Sequence, residues 1–250
     1  MKGKNMAEGK DYKIIDVKEG NILDEFSTDK VILRGTYPYE NSAFAENLEI
    51  QIIPEKGEVI TKKIPYSGYF LKLFLEDFTL NGRDEIMVRG SFGGSGNFAI
   101  ATIYQYKDNM LKEIFSQDMF DKKYKFKARY LDDYKVEITS DQLKRKYIID
   151  ISSKDKSVLD IIYNSDGTVK KGVLPYVSSI NEAFPVNYVY RDNYNLLTQQ
   201  RIIGVSNADT IGVMESFIDF KDGDFKNFYS RATIMGQKYD NKMRMSVNYK

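Results

Sequence analysis

Four polar turn pairs, each set between short strand-like runs, constrain the fold of this chain more than any other feature. Asp222-Gly223 separates Phe217-Ile-Asp-Phe from Phe225-Lys-Asn-Phe, and Asp166-Gly167 separates Ile161-Ile-Tyr from Thr168-Val169. Lys56-Gly57 separates Ile50-Gln-Ile-Ile from Glu58-Val-Ile, and Asp108-Asn109 separates Thr102-Ile-Tyr-Gln-Tyr from Leu111-Lys-Glu-Ile-Phe. Such pairs reverse the backbone within two residues and join antiparallel strands directly. Between them the readable period is two, in Val31-Ile-Leu-Arg, Ile86-Met-Val, Tyr124-Lys-Phe-Lys-Ala, Lys135-Val-Glu-Ile-Thr and Ile218-Asp-Phe. Helical signals are sparse: Asp118-Met-Phe-Asp-Lys-Lys holds one turn, and Ser179-Ile-Asn-Glu-Ala-Phe is stopped by Pro185. The expectation is an all-β, antiparallel protein.

The strand pattern also repeats. Asp29-Lys-Val-Ile-Leu-Arg-Gly-Thr-Tyr matches Asp84-Glu-Ile-Met-Val-Arg-Gly-Ser-Phe at an offset of 55 residues, and the turns that follow, at Lys56 and Asp108, are 52 apart. Weaker copies are Asp133-Tyr-Lys-Val-Glu-Ile-Thr, followed by a turn at Ser153-Lys-Asp, and Gln200-Arg-Ile-Ile-Gly-Val-Ser, followed by Asp222-Gly223. Four units near 11–66, 67–121, 122–172 and 173–237 predict blade-like, propeller-like architecture within a single domain, 11–250, behind a disordered lead, 1–10. The alternative is a β-sandwich or irregular meander in which similar strands recur.

Composition excludes much chemistry. The 250 residues include no His, Cys or Trp, which removes imidazole catalysis, thiolate nucleophiles, disulfides, iron–sulfur clusters and His- or Cys-ligated zinc. The 37 basic and 36 acidic residues are interleaved, without the basic excess of a nucleic-acid binder. The most basic stretch, Asp121–Arg129, alternates with Tyr124, Phe126 and Ala128, as a half-buried strand with a solvated face does. No apolar run reaches the roughly 18 residues of a membrane span.

One loop has the spacing of a cation site. Asp77-Phe-Thr-Leu-Asn-Gly-Arg-Asp-Glu runs into the hydrophobic strand Ile86-Met-Val, with Gly93-Gly-Ser-Gly-Asn and Ile103-Tyr-Gln-Tyr beyond. It resembles the FG-GAP/VCBS type of propeller repeat, whose Asp-x-Asn-x-Asp-Gly-x-x-Asp loop wraps calcium. The resemblance makes Asp77, Thr79, Asn81, Asp84 and Glu85 a candidate weak calcium site. The alternative is a turn capped by its own Asp and Asn. No other cofactor is expected. Taken with Val177-Ser-Ser-Ile-Asn-Glu-Ala-Phe-Pro-Val and the run from Gln200 to Gly212, the chain looks like uncharacterised surface lipoproteins of Gram-positive bacteria with VCBS-like repeats. That implies an extracellular protein, anchored to a membrane through a removed N-terminal segment, with protein or cell-wall glycan as its partner.

Arg34 and Arg89 occupy equivalent repeat positions and could aim guanidinium groups at a central channel or reach solvent as strand-end arginines. Asn207 and Asp209 could line a groove or form a plain turn. Gly93-Gly-Ser-Gly lacks the Lys-Ser/Thr ending of a phosphate loop and reads as a strand-to-strand loop. Carboxylate pairs drawn from Glu182, Glu215 and Asp219 are the one catalytic option that needs no His. The reading is a non-catalytic binding or scaffolding module outside the cell. Its rivals are a carboxylate-based glycan-processing enzyme and a cytoplasmic interaction module.

Overall fold

The computed structural model describes residues 11–187 and 194–236. The predicted lead 1–10, and residue 237 at the predicted end of the fourth unit, lie outside the described residues.

Among the described residues the chain is all-β with two short helices, and every neighbouring pair of strands is antiparallel. It forms four successive meanders. The first holds β1 (Lys13–Gly20), β2 (Asp29–Thr36), β3 (Phe44–Ile53) and β4 (Ile60–Lys63), and the second holds β5 (Gly68–Glu76), β6 (Glu85–Gly93), β7 (Phe98–Lys107) and β8 (Met110–Ser116). Helix α1 (Gln117–Lys123) leads to the third, with β9 (Lys127–Leu131), β10 (Lys135–Ser140) and β11 (Arg145–Asp150). Helix α2 (Lys156–Ile162) precedes the fourth, with β12 (Tyr176–Val186), β13 (Asn195–Ile203), β14 (Thr210–Lys221) and β15 (Asp224–Thr233).

The four similar sequence stretches fall on β2, β6, β10 and β13, each the second strand of its meander. Their neighbours explain the pattern, because a second strand is paired on both edges and tolerates the longest apolar run. The first two meanders join through two residue pairs only, Phe44↔Tyr69 and Ala45↔Gly68, into one eight-stranded sheet; the others form sheets of three and four strands, and none of these sheets closes on itself.

Three apolar clusters set the packing order. Leu33, Ile50 and Ile52 of the first meander pack with Leu73, Ile86 and Ile100 of the second. On the opposite face of the second, Met87, Ala101 and Ile103 pack with Leu196, Ile218 and Phe225 of the fourth. The fourth then meets the third through Ile202 and Met214 against Val136 and Ile138. The spatial order is one, two, four, three. Successive residues of β6 therefore enter different cores, Ile86 and Val88 on one side and Met87 on the other.

The turns at Lys56-Gly57, Asp108-Asn109 and Asp222-Gly223 form as expected, the last two with positive φ at both residues. Asp166-Gly167 closes only the single bridge Tyr163↔Val169, because Ile161 and Ile162 end helix α2 instead of forming a strand. The expected hairpin turn at Ser153-Lys-Asp likewise leads into α2. The stretch Ser179–Phe184 is strand β12, and Pro185 is accommodated because β12 is an edge strand. No helix among the described residues is long and apolar enough to cross a membrane.

The glycine after arginine in the repeat marks a bulge on both occasions. A Cβ on Gly35 would lie 2.9 Å from the Glu46 carbonyl oxygen, and one on Gly90 would lie 2.8 Å from that of Tyr69. Opposite Gly90, Phe70 and Leu71 occupy the space of one residue between the pairs Tyr69↔Ser91 and Lys72↔Arg89. Phe70 adopts φ +54° there and is 80% exposed.

Candidate functional site

The bulge in β5 stands at the rim of a cleft of about 310 Å³, formed by β6 and β7 with β12 crossing them. Its polar lining comes from Arg89, Ser91, Asn97, Asn181 and Glu182, and Phe70 stands at its edge. The wall across from β6 is held by Asn181, which is buried. Its Nδ2 donates to the Gly96 and Asn97 carbonyls at 2.7 and 3.3 Å, and its Oδ1 accepts from Ser178 Oγ at 2.6 Å and from the Arg201 amide at 2.9 Å. The Gly93–Asn97 loop is thus a tied β6–β7 connection that shapes the cleft.

Arg89 and Arg34 share a repeat position but not an environment. Arg34 lies opposite Glu49 and donates to it through Nε at 3.1 Å and Nη2 at 2.8 Å, while Tyr12 OH donates to the other Glu49 oxygen at 2.9 Å. The Arg34 guanidinium also lies 4.5 Å from the centre of the Tyr12 ring. Burial pushes the Glu49 carboxyl up, but the bonds from Arg34 and Tyr12 outweigh it and hold the group below its ordinary value. Arg89 lies opposite Ala101, so it has no carboxylate across the strand. Among the described residues it makes no hydrogen bond or ion pair, and its guanidinium lies 4.9 Å from the centre of the Phe184 ring. Glu182, on the same strand as Phe184, is likewise without a hydrogen-bond partner among the described residues.

The candidate calcium loop is saturated with its own donors. The two oxygens of Asp77 accept from the Asn81 amide at 3.0 Å and the Gly82 amide at 2.7 Å. Glu85, 1% exposed, accepts from the Thr79 amide (3.1 Å), Thr79 Oγ1 (2.8 Å), Asn81 Nδ2 (2.9 Å) and Gln105 Nε2 (2.9 Å). Burial pushes its carboxyl up against the pull of the Gln105 and Thr79 bonds. Asp84 turns away and accepts from the Asn21 amide at 3.1 Å. Asp77, Thr79, Asn81 and Glu85 do come together, in the arrangement of a self-capped turn, and Asp84 does not join them. No group of three or more acidic residues among the described residues is placed to hold a metal.

The remaining candidates are structural anchors or lie apart. Asp209 pairs with Lys154 and accepts from the Val205 amide at 3.0 Å, and Asn207 accepts from Tyr176 OH at 2.5 Å. Both belong to the β13–β14 connection, at a different place from Arg34 and from Arg89. Glu182, Gln199, Glu215 and Arg231 form one row across β12 to β15. Gln199 Nε2 donates to Glu215 at 2.9 Å and Arg231 Nε donates to its other oxygen at 2.6 Å. Two strand spacings place Glu182 and Glu215 roughly 10 Å apart on the backbone. Asp219 accepts from Asn195 Nδ2 at 2.9 Å. In the basic stretch, Tyr124 is buried and Lys123, Lys127 and Arg129 pair with Asp224, Asp141 and Glu137, so those cations are locally neutralised.

Residues 124–233 match the family model of the YybI C-terminal domain. The chain is similar to YybI. Over 169 residues it is 31% identical to a Bacillus subtilis (strain 168) protein described as "Uncharacterized protein YybI", a match spanning 68% of this chain and 64% of that relative. No solved structure matches the chain. The YybI C-terminal match begins where the second meander gives way to the third, so Asn181 and Glu182 lie inside it and Arg89 and Phe70 before it.

Phe70, Asn97 and Asn181 were not singled out from sequence. Asn181 sits in Ser179–Phe184, which reads from sequence as a helical stretch, and Phe70 in a stretch without a motif; only the bulge and the crossing of β12 over β7 bring them together. The Arg-Gly pair was the available signal, because a glycine kept after a strand-end arginine marks close backbone approach.

Proposed function

We propose that this protein is a non-catalytic binding module that works outside the cell near a Gram-positive surface, held there through a removed N-terminal segment, with protein or cell-wall glycan as its partner. The observation that carries the reading is the cleft between β6–β7 and β12. It presents a guanidinium, Arg89, and a carboxylate, Glu182, that have no hydrogen-bond or ion-pair partner among the described residues, whereas the repeat counterpart Arg34 is neutralised by Glu49. Charged groups whose hydrogen-bonding capacity is left unused beside a cavity are what a polar ligand needs.

The carboxylates weigh against turnover. Both oxygens of Glu215 are taken, by Gln199 and by Arg231, so this carboxylate is already committed to protein donors. The four second-strand repeats support reading the meanders as blade-like units of the VCBS type in an open arrangement, and similarity to a Bacillus subtilis protein supports the bacterial setting. A glycan array combined with a turnover assay on cell-wall polysaccharide tests the function: binding without product release is expected. Product release abolished by Glu215→Gln would establish the enzyme instead. The reading frame upstream of Met1 tests the location, with a signal segment ending in Cys expected.

A further inference from the structure

We infer that the cleft takes one acidic residue of a saccharide chain, its carboxylate on Arg89, its hydroxyls on Glu182 and Asn97, and one face of its ring on Phe70. This rests on the binding-module reading and adds the chemistry of the ligand. Four observations converge on it. A guanidinium is a planar fork that matches a carboxylate with two parallel hydrogen bonds, and the substitution of Ala101 for a cross-strand glutamate leaves that of Arg89 uncommitted. Among the residues lining the cleft Arg89 is the one cation, its cross-strand partner Lys72 standing outside the lining, and one cation within the cleft suits a monoanionic carboxylate better than a phosphate dianion. On the other walls, Glu182 offers acceptor oxygens, and the Asn97 amide, whose Oδ1 accepts from Ser91 Oγ at 3.2 Å, keeps both Nδ2 protons free among the described residues. This is the mixed donor and acceptor set that sugar hydroxyls require.

Phe70 supplies the third element. An aromatic residue at φ +54° pays a backbone strain that ordinary strand packing would avoid, and the strain turns its ring outward, 80% exposed, at the rim of the cleft. An exposed flat ring above a polar floor fits the apolar face of a pyranose. The volume, about 310 Å³, lies at the small end for ligand sites and suits a single ring in a cleft that is not enclosed. A free amino acid would satisfy Arg89 and Glu182 but leave the Phe70 ring without a partner.

The full chain is titrated, with saturation-transfer NMR and calorimetry, with galacturonic acid trimer and N-acetylmuramic acid, and with their neutral counterparts galactose trimer and N-acetylglucosamine. Glycine and glucose 6-phosphate are the remaining probes. At low salt the acidic saccharides are expected to bind about tenfold more tightly than the neutral ones. Arg89→Gln is expected to erase that preference, Arg89→Lys to retain part of it, and Phe70→Ala to weaken acidic and neutral saccharides alike. Each variant is checked for an unchanged melting profile. Equal binding of acidic and neutral saccharides, preference for glycine or the phosphate, or a preference surviving Arg89→Gln would overturn the inference and leave the binding module standing. Absence of any binding would overturn it as well. Cleavage of the trimer, lost in Glu182→Gln, would instead overturn the binding-module reading itself.

Discussion

Arg34 and Arg89 show how one residue type at one repeat position acquires two roles from the residue across the strand. Arg34→Gln leaves the buried Glu49 carboxylate short of its charged donor and is expected to cost about 1–2 kcal/mol, discounted for the partial exposure of the arginine. Arg89→Gln removes only a ring contact and is expected to cost less than about 1 kcal/mol; urea unfolding of the two variants side by side reads the difference. Glu49 adds a pH signature. Its folded pKa lies below the ordinary value of 4.5, so its contribution is full above that value and is lost as the pH falls through the lowered one. The stability advantage of the natural chain over Glu49→Gln should therefore shrink in acid, and an advantage that grows there would contradict the assignment. At the Asp77–Glu85 loop, melting in chelator and in tens of millimolar calcium is expected to give the same midpoint, because the carboxylates already accept internal donors. Asp77→Ala should cost about 1 kcal/mol through loss of the turn cap alone. Saturating the loop at about 100 times its dissociation constant would add about 2.7 kcal/mol. A rise of that size, absent in Asp77→Ala, would show that the ion displaces the donors.

At the scale of elements, the bulge opposite Gly90 links strand geometry to the cleft. Gly90→Ala places a methyl 2.8 Å from the Tyr69 carbonyl oxygen and 2.8 Å from Leu71, and backbone cannot yield as a flexible side chain can. The expected cost is about 2 kcal/mol, in the range of overpacked sites, together with displacement of Phe70. Thermal unfolding reads the first, and the ring signals of Phe70 in NMR read the second. The matching change Gly35→Ala should destabilise comparably while leaving the cleft intact. Helix α2 belongs to this scale too: its seven residues make two turns, too short for a 3.6-residue period to show against the apolar run Ile161-Ile-Tyr.

Across the whole molecule, the fourth meander holds the structure together by packing against both the second and the third. Residues 124–236 alone would keep the cluster around Val136, Ile138 and Met214. They would also expose Ile180, Leu196, Ile218 and Phe225, which lose Phe78, Met87, Ile103 and Phe115 as partners. At roughly 1.5–3 kcal/mol for each large side chain so exposed, this piece should bind the dye ANS and associate at micromolar concentration. A monomeric, ANS-silent fragment would show that the third and fourth meanders form an independent domain, as the bounds of the YybI C-terminal match would allow.

What the sequence determined by itself was local. Turn pairs such as Asp222-Gly223 and the period of two around Ile86 specify antiparallel meanders, because both depend on backbone geometry within a few residues. The four repeats located the second strand of every meander for the same reason. Tertiary structure alone decided the packing order one, two, four, three, and with it the crossing of β12 over β7 that makes the cleft. Whether an arginine is neutralised or free depends on which residue the register sets opposite it, Glu49 for Arg34 and Ala101 for Arg89. Those pairings, and the burial that makes them count, join residues distant in the chain, and no periodicity along the sequence encodes them.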